Sequence, residues 1–203
     1  MYSGFENFQH SFMYDHSEVT HLSPANVTDG GVAVTSTWVA ALVHTNCERQ
    51  VARKLEPLVD ECYVPVQEEV RLWSDRKKKI QRTVIPNIVF VRCLPTLFAE
   101  LKRFSYVRGL LGNPGEKTPA LIPDGQIEKL RFMLGQSEVP VELEDDERRA
   151  ILEGGRFRVV RGPFKGLEGE VLRMRDGDLH VGVRLHGLGF AHVHINKSDI
   201  ERI

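Results

Sequence analysis

Four groups of residues in this 203-residue chain have types and spacings that could do chemistry. His192 and His194 stand two apart, so in a strand both imidazoles project from one face within reach of a single metal ion. No third ligand adjoins them, and the pair reads as a solvated face opposite Ala191, Val193 and Ile195. Cys47 near His44 offers a thiol and a base, but a nucleophile also needs an orienting group and an oxyanion donor, and neither is signposted. Cys47 therefore reads as an ordinary packed cysteine. No loop cradles a phosphate: Gly109 to Gly115 lacks the Lys-Ser/Thr ending of a P-loop, and Gly154-Gly155 precedes a strand instead of a helix. Two binding groups remain. Arg76, Lys77, Lys78 and Lys79 concentrate positive charge suited to a phosphate backbone or an acidic protein loop; a merely solvated turn is the plain alternative. In Ile85-Pro86-Asn87-Ile88 a proline enters a strongly apolar strand, bringing more hydrophobic surface than one sheet face needs. That surface suits docking, against the alternative of a strand buried on both sides. Neither an enzyme nor a cofactor site is expected.

Composition narrows the class. A hydrophobic fraction of 41% and a charged fraction of 27% are those of a folded, soluble protein. No apolar run approaches the ~20 residues that span a bilayer, so no membrane is expected. Met1 to Asp15 lacks a basic n-region and an apolar core, so it does not read as a secretory signal and the expected location is cytoplasmic. Cys47, Cys62 and Cys93, odd in number and widely spaced, suit reduced thiols.

The net charge of −1 conceals two basic blocks around an acidic joint. Residues 1–37 carry −4, 38–134 carry +5, 135–153 carry −5 and 154–203 carry +3. Residues 1–36 lack a sustained period of 2 or 3.6 and read as a flexible extension, with Phe5, Phe8, Phe12 and Tyr14 scattered along it. Residues 37–134 form the first expected module, 135–153 an exposed acidic linker, and 154–203 a second module.

The first module opens with the apolar strand Trp38–His44. Thr45 and Glu48 have capping-box spacing, so a helix should follow, with Val51, Ala52 and Leu55 on one face and Pro57 at its end. Cys62–Leu72 and Ile80–Ile85 read as a hairpin with Arg76 to Lys79 at its tip, and Ile88–Val91 as a further strand. A helix through Leu97, Leu101 and Phe104, a strand at Val107–Leu111 and a helix capped by Asp124 complete the order β-α-β-β-β-α-β-α. Strands in hairpin succession argue an α+β fold: an antiparallel sheet with flanking helices. In the second module, Arg156–Val160, Glu168–Met174, Leu179–Leu185 and Phe190–Ile195 are short strands separated by glycine turns, as in a small β-barrel. Leu179, Val181, Val183 and Leu185 should face its core and His180, Gly182 and Arg184 water.

Arg156-Phe-Arg-Val-Val-Arg-Gly-Pro-Phe-Lys-Gly-Leu-Glu-Gly-Glu-Val171 resembles a KOW motif, the glycine-punctuated hairpin of an SH3-like barrel, in the form found in NusG proteins. Gly162 and Gly166 permit the turns around Pro163 and Phe164, and Gly169 leaves room for close strand approach. The first module, from Trp38 through Ile85-Pro-Asn-Ile-Val-Phe-Val91 to Leu134, resembles the NusG N-terminal (NGN) domain. The NGN-linker-KOW order is more specific than either part.

The resemblance implies a bacterial NusG-like elongation factor, a specialised paralogue that suppresses pausing and antiterminates within particular operons. It implies a monomer whose NGN domain binds the clamp helices of the largest RNA polymerase subunit through Trp38, Ile85, Pro86, Asn87 and Ile88. Arg76, Lys77, Lys78 and Lys79 would meet nucleic acid of the elongation complex or an acidic partner. The KOW module would contact a termination factor, a small-subunit ribosomal protein or neither. Asn87 replaces a common family glycine; asparagine tolerates unusual backbone angles best among other residues, so the bend should survive. Ile85 and Ile88 replace aromatics, and the 36-residue extension departs from a general factor. The competing expectation is an RNA-binding or ribosome-associated KOW protein.

Overall fold

A computed structural model describes residues 34–72, 76–113, 115–137, 139–144, 151–173 and 178–203; side chains of 71, 151–155, 172 and 173 are not described. The expected extension 1–36 lies outside these residues except for its last three, and so does the tip of the first hairpin, 73–75.

Alternation of apolar residues builds the first sheet. β1 (Thr37–Leu42) pairs antiparallel with β5 (Ile88–Cys93), which also pairs with β2 (Glu61–Tyr63), while β6 (Gly109–Leu110) flanks β1. Val39, Ala41, Val89, Val91 and Cys93 point to one side, where α1 (Glu48–Leu55) adds Val51, Ala52 and Leu55, and α2 (Phe98–Leu101) adds Leu101. Trp38, Ala40, Ile88 and Phe90 point to the other, toward Ile127, Leu130 and Met133 of α3 (Asp124–Gln136). Both faces are thus apolar because both are covered.

The segment expected as one strand from Cys62 to Leu72 is broken at Pro65. A proline donates no ladder bond, and β2 ends before it. β3 (Val66–Leu72) then leaves the sheet to pair only with β4 (Lys77–Thr83), in register Val66↔Thr83 through Leu72↔Lys77. The Pro65 carbonyl accepts the Val84 N–H at 2.9 Å, closing the base of this ribbon.

The second sheet is all antiparallel, in the order β12 (Ile200–Arg202), β8 (Ile151–Val159), β9 (Glu168–Arg173), β10 (Leu179–Leu185), β11 (Gly189–His194) and β7 (Glu142–Glu144). Its inward residues Val171, Val181, Val183, Leu185, Ala191 and Val193 belong to the same continuous core as Trp38, Ile85 and Ile88. Val34–Ile203 is one compact unit.

Residues 135–153, expected as an exposed linker, have more structure than their charge suggests. Val141 is fully buried, and Glu142–Glu144 add β7 to the second sheet by pairing with Phe190–His192. Gln67 holds the preceding stretch: its Nε2 donates to the carbonyls of Ser137 (3.2 Å) and Val139 (2.6 Å), and its Oε1 accepts the Val141 N–H at 2.9 Å. Arg82 Nη2 adds a bond to the Val141 carbonyl at 2.9 Å. These bonds satisfy backbone groups that an acidic, proline-containing stretch would otherwise leave to water.

Both expected helix caps differ. Asp124 is the first residue of α3 and makes no side-chain cap, the preceding Pro123 occupying the N-cap position. Before α1, Cys47 takes the cap position without a side-chain bond, and Glu48 is turned elsewhere.

Candidate docking surface

The link from β4 to β5 carries the docking residues expected from sequence. Ile85 and Ile88 are 2% and 4% exposed, within the apolar core. An outward-facing Ile88 is not found, since α3 and the second sheet supply apolar neighbours on the face where both isoleucines lie. Pro86, between them, is exposed, and Asn87 is half-buried. Asn87 has φ +65°, the left-handed conformation that favours glycine and that asparagine tolerates.

Two bonds hold this turn. The Asn87 carbonyl accepts the Val43 N–H at 2.9 Å, and the Asn87 N–H donates to Glu48 Oε1 at 2.7 Å. Glu48 is buried at the start of α1, so the expected capping box gives way to a bond across to the turn.

Trp38 is not brought to the turn. It pairs with Arg92, whereas Ile88 pairs with Leu42, at the opposite end of the same two strands. The Arg131 guanidinium of α3 lies over both the Trp38 ring (5.3 Å) and the Tyr63 ring (4.5 Å), and pairs with Glu61. Burial pushes the Tyr63 hydroxyl up to about 12, against a smaller lowering by Arg131.

The basic cluster is placed differently from expectation. Lys77, Lys78 and Lys79 are residues of β4 itself, because alternation continues through them opposite Leu72, Arg71 and Val70; Arg76 directly precedes the strand. All four are exposed. Lys77 and Lys79 share a ribbon face with Val70 and Leu72, which are 57% and 77% exposed. Lys79 also pairs with Glu68 at 3.4 Å. This is a mixed cationic and apolar strip, and Val70 and Leu72 join it only through the strand register.

In the KOW-like hairpin the glycines sit as their positions require. Gly162 and Gly166 have φ +76° and +92°, Pro163 is exposed, and Phe164 is buried. A Cβ at Gly169 would lie 2.2 Å from the Gly182 carbonyl oxygen. The hairpin's outer rim, Lys165 to Glu168, faces α3 across a groove of about 400 Å³ that Lys129 and Phe132 line.

Three arginines of the second module pair with its own carboxylates. Arg158 pairs with Glu168 at 2.6 Å, Arg156 with Glu168 at 3.6 Å, and Arg184 with Glu170 at 2.6 Å. The Arg158 hydrogen bond holds the Glu168 carboxyl below its usual range. Gly182 is buried beneath the Phe190 ring instead of facing water. His192 is fully buried, not on a solvated face, with its Nδ1 3.0 Å from His180 Nδ1; His194 is exposed. Sequence spacing paired His192 with His194, while the register sets His180 of the neighbouring strand opposite His194, with its ring against both. Among the described residues no group of three or more His, Cys, Asp or Glu could hold a metal ion.

The three cysteines are free. Burial pushes the Cys62 and Cys93 thiols up to about 12, with nearby acids adding to the shift. Exposed His44 and half-buried Cys47 share a turn, Cys47 N–H to His44 carbonyl at 3.1 Å.

Residues 36–131 match the family model of NusG, described as transcription termination factor NusG. The chain is 27% identical over 168 residues to the transcription termination/antitermination protein NusG of Halalkalibacterium halodurans, covering 79% of this chain and 90% of that one. Among solved structures, one describing domain interaction in Thermotoga maritima NusG aligns at 20% identity and a TM-score of 0.46, covering 83% of this chain and 98% of that one. Among the described residues no helix is long and apolar enough to cross a membrane.

Proposed function

We propose that the chain, whose residues 36–131 match the NusG family model and which is similar to a NusG protein along most of its length, binds RNA polymerase as a cytoplasmic elongation factor and promotes antitermination within particular operons. No bond is made or broken in this role. The clamp helices of the largest polymerase subunit are the proposed partner, and the Pro86–Asn87 turn is the contact. One observation carries the reading: an exposed proline beside a left-handed asparagine is fixed from two sides by Val43 and Glu48. A turn held in one conformation meets a partner with little further loss of entropy. The buried Ile85 and Ile88 support the turn from beneath, and Trp38 belongs to the sheet's core.

A single-round transcription assay on a terminator template tests the role. Added protein should raise readthrough. Readthrough unchanged at saturating protein, with polymerase bound, would leave binding and remove antitermination.

Nucleic-acid contact is a second component, favoured by the strip of Lys77, Lys79, Val70 and Leu72 on one ribbon face. Lysines can neutralise phosphates while apolar side chains meet bases. Replacing Lys77 and Lys79 with Gln should weaken association at low salt and much less at high salt, as screening already mutes these charges. Equal loss at both would assign the strip a role through shape. The alternative of a ribosome-associated RNA binder gains less support, since Arg156, Arg158 and Arg184 of the second module are engaged with its own carboxylates.

A further inference from the structure

We infer that Glu48 is a positioning residue for the docking turn: its carboxylate, at the start of α1, locks the left-handed Asn87 so that Pro86 is presented in one orientation. The inference rests on the reading of that turn as the polymerase contact.

Glu48 is 3% exposed, and a carboxylate is seldom buried without a specific partner. Oε1 accepts the Asn87 N–H at 2.7 Å, the short distance of a charge-assisted bond. The left-handed backbone at Asn87 turns its N–H away from the strand ladder, so this donor needs a partner outside the sheet. Glu48 also lies in the first turn of a helix, where the positive end of the helix dipole favours an anion. The Val43 N–H to Asn87 carbonyl bond fixes the next peptide unit, on the other side of the same residue. Helix, turn and strand end are therefore tied at one residue next to the exposed proline. A glutamine at position 48 would retain the accepting oxygen; an alanine would leave the Asn87 N–H without it.

The test uses the full chain, with Glu48→Ala, Glu48→Gln, Pro86→Ala and the double variant Glu48→Ala/Pro86→Ala. Two quantities are read: hydrogen exchange at the Asn87 amide by NMR, and affinity for purified core RNA polymerase. Glu48→Ala should speed Asn87 exchange and weaken binding, each on the order of tenfold, as loss of one hydrogen bond to a charged group implies. Glu48→Gln should retain most of both. In the Pro86→Ala background, Glu48→Ala should cost little further affinity, because the two act through one contact. Should Glu48→Ala melt below the assay temperature, Glu48→Asp, whose shorter side chain falls short of the turn, is expected to show the same two effects. Unchanged Asn87 exchange in Glu48→Ala overturns the lock. Additive losses in the double variant, or equal losses for Ala and Gln, overturn positioning and leave a general structural role. Undiminished affinity in Pro86→Ala alongside fast Asn87 exchange retains the lock but removes the turn from the docking surface, which fails the functional reading itself.

Discussion

The Arg131 guanidinium lies 5.3 Å from the centre of the Trp38 ring, so α3 covers with a cation the tryptophan that the family resemblance assigns to docking. The same guanidinium lies over Tyr63 and pairs with Glu61. Arg131 is thus a clasp between helix and sheet, and its flat face matters as much as its charge. Replacing it with Ala should lower stability by about 1 kcal/mol. Lys at this position should recover only part of the loss. Chemical denaturation measures both, and in a Trp73→Phe background the Trp38 emission should shift to the red in Arg131→Ala.

Ile88→Ala should destabilise the fold by ~2–5 kcal/mol, the cost of a cavity where a buried aliphatic side chain stood. Its 4% exposure leaves little surface for a partner. A melting temperature close to that of the parent chain would return Ile88 to the surface and restore the anchor role expected from sequence.

The Cys62 and Cys93 thiols, pushed up to about 12, remain protonated throughout the neutral range and should resist thiol-directed reagents at pH 8 until the chain unfolds. The sign of the pH effect follows. In the unfolded chain these thiols ionise near their ordinary value of 9.0, while the folded chain holds its protons. Below pH 9 the two states bind protons equally. Between about 9 and 12 the unfolded state binds fewer, so stability should fall as pH rises through that window, with Tyr63 adding to the fall above 10. Thermal melts from pH 8 to 11 check this; a flat profile would contradict burial of these groups.

The second module should need its acidic lead-in. β7 covers the edge of β11, so residues 139–203 should melt at a higher temperature than residues 151–203, which keep β8 whole but leave that edge bare. Equal melting temperatures would return Glu142–Glu144 to the role of a plain linker.

Alternation made much of this legible. Val181, Val183 and Leu185 are buried as their spacing required, and Gly162, Gly166 and Gly169 occupy two left-handed turns and one close strand crossing. A residue's period is local, and so is a glycine's freedom. What sequence spacing missed was decided across the fold. Glu48 looked like a partner for Thr45 because they are three apart, but a donor brought in by the β4–β5 link won it. His192 was matched with its strand neighbour His194, yet His180, which the register sets opposite His194, reaches diagonally to His192. The charges of 135–153 hid Val141 and β7, since three acidic-flanked residues carry too little pattern to mark a strand. Lys77 to Lys79 read as a tip because lysines are rare in paired strands; the ribbon leaves them in solvent, where they cost nothing.

Binding of the purified chain to core RNA polymerase, with purified ribosomal subunits as competitor, decides between a polymerase partner and a ribosomal one. Binding should be saturable, should not be displaced by ribosomal subunits, and should be weakened by Pro86→Ala without a change in melting temperature. A folded chain that ignores the polymerase, or that leaves it for ribosomal subunits, would contradict the proposed function.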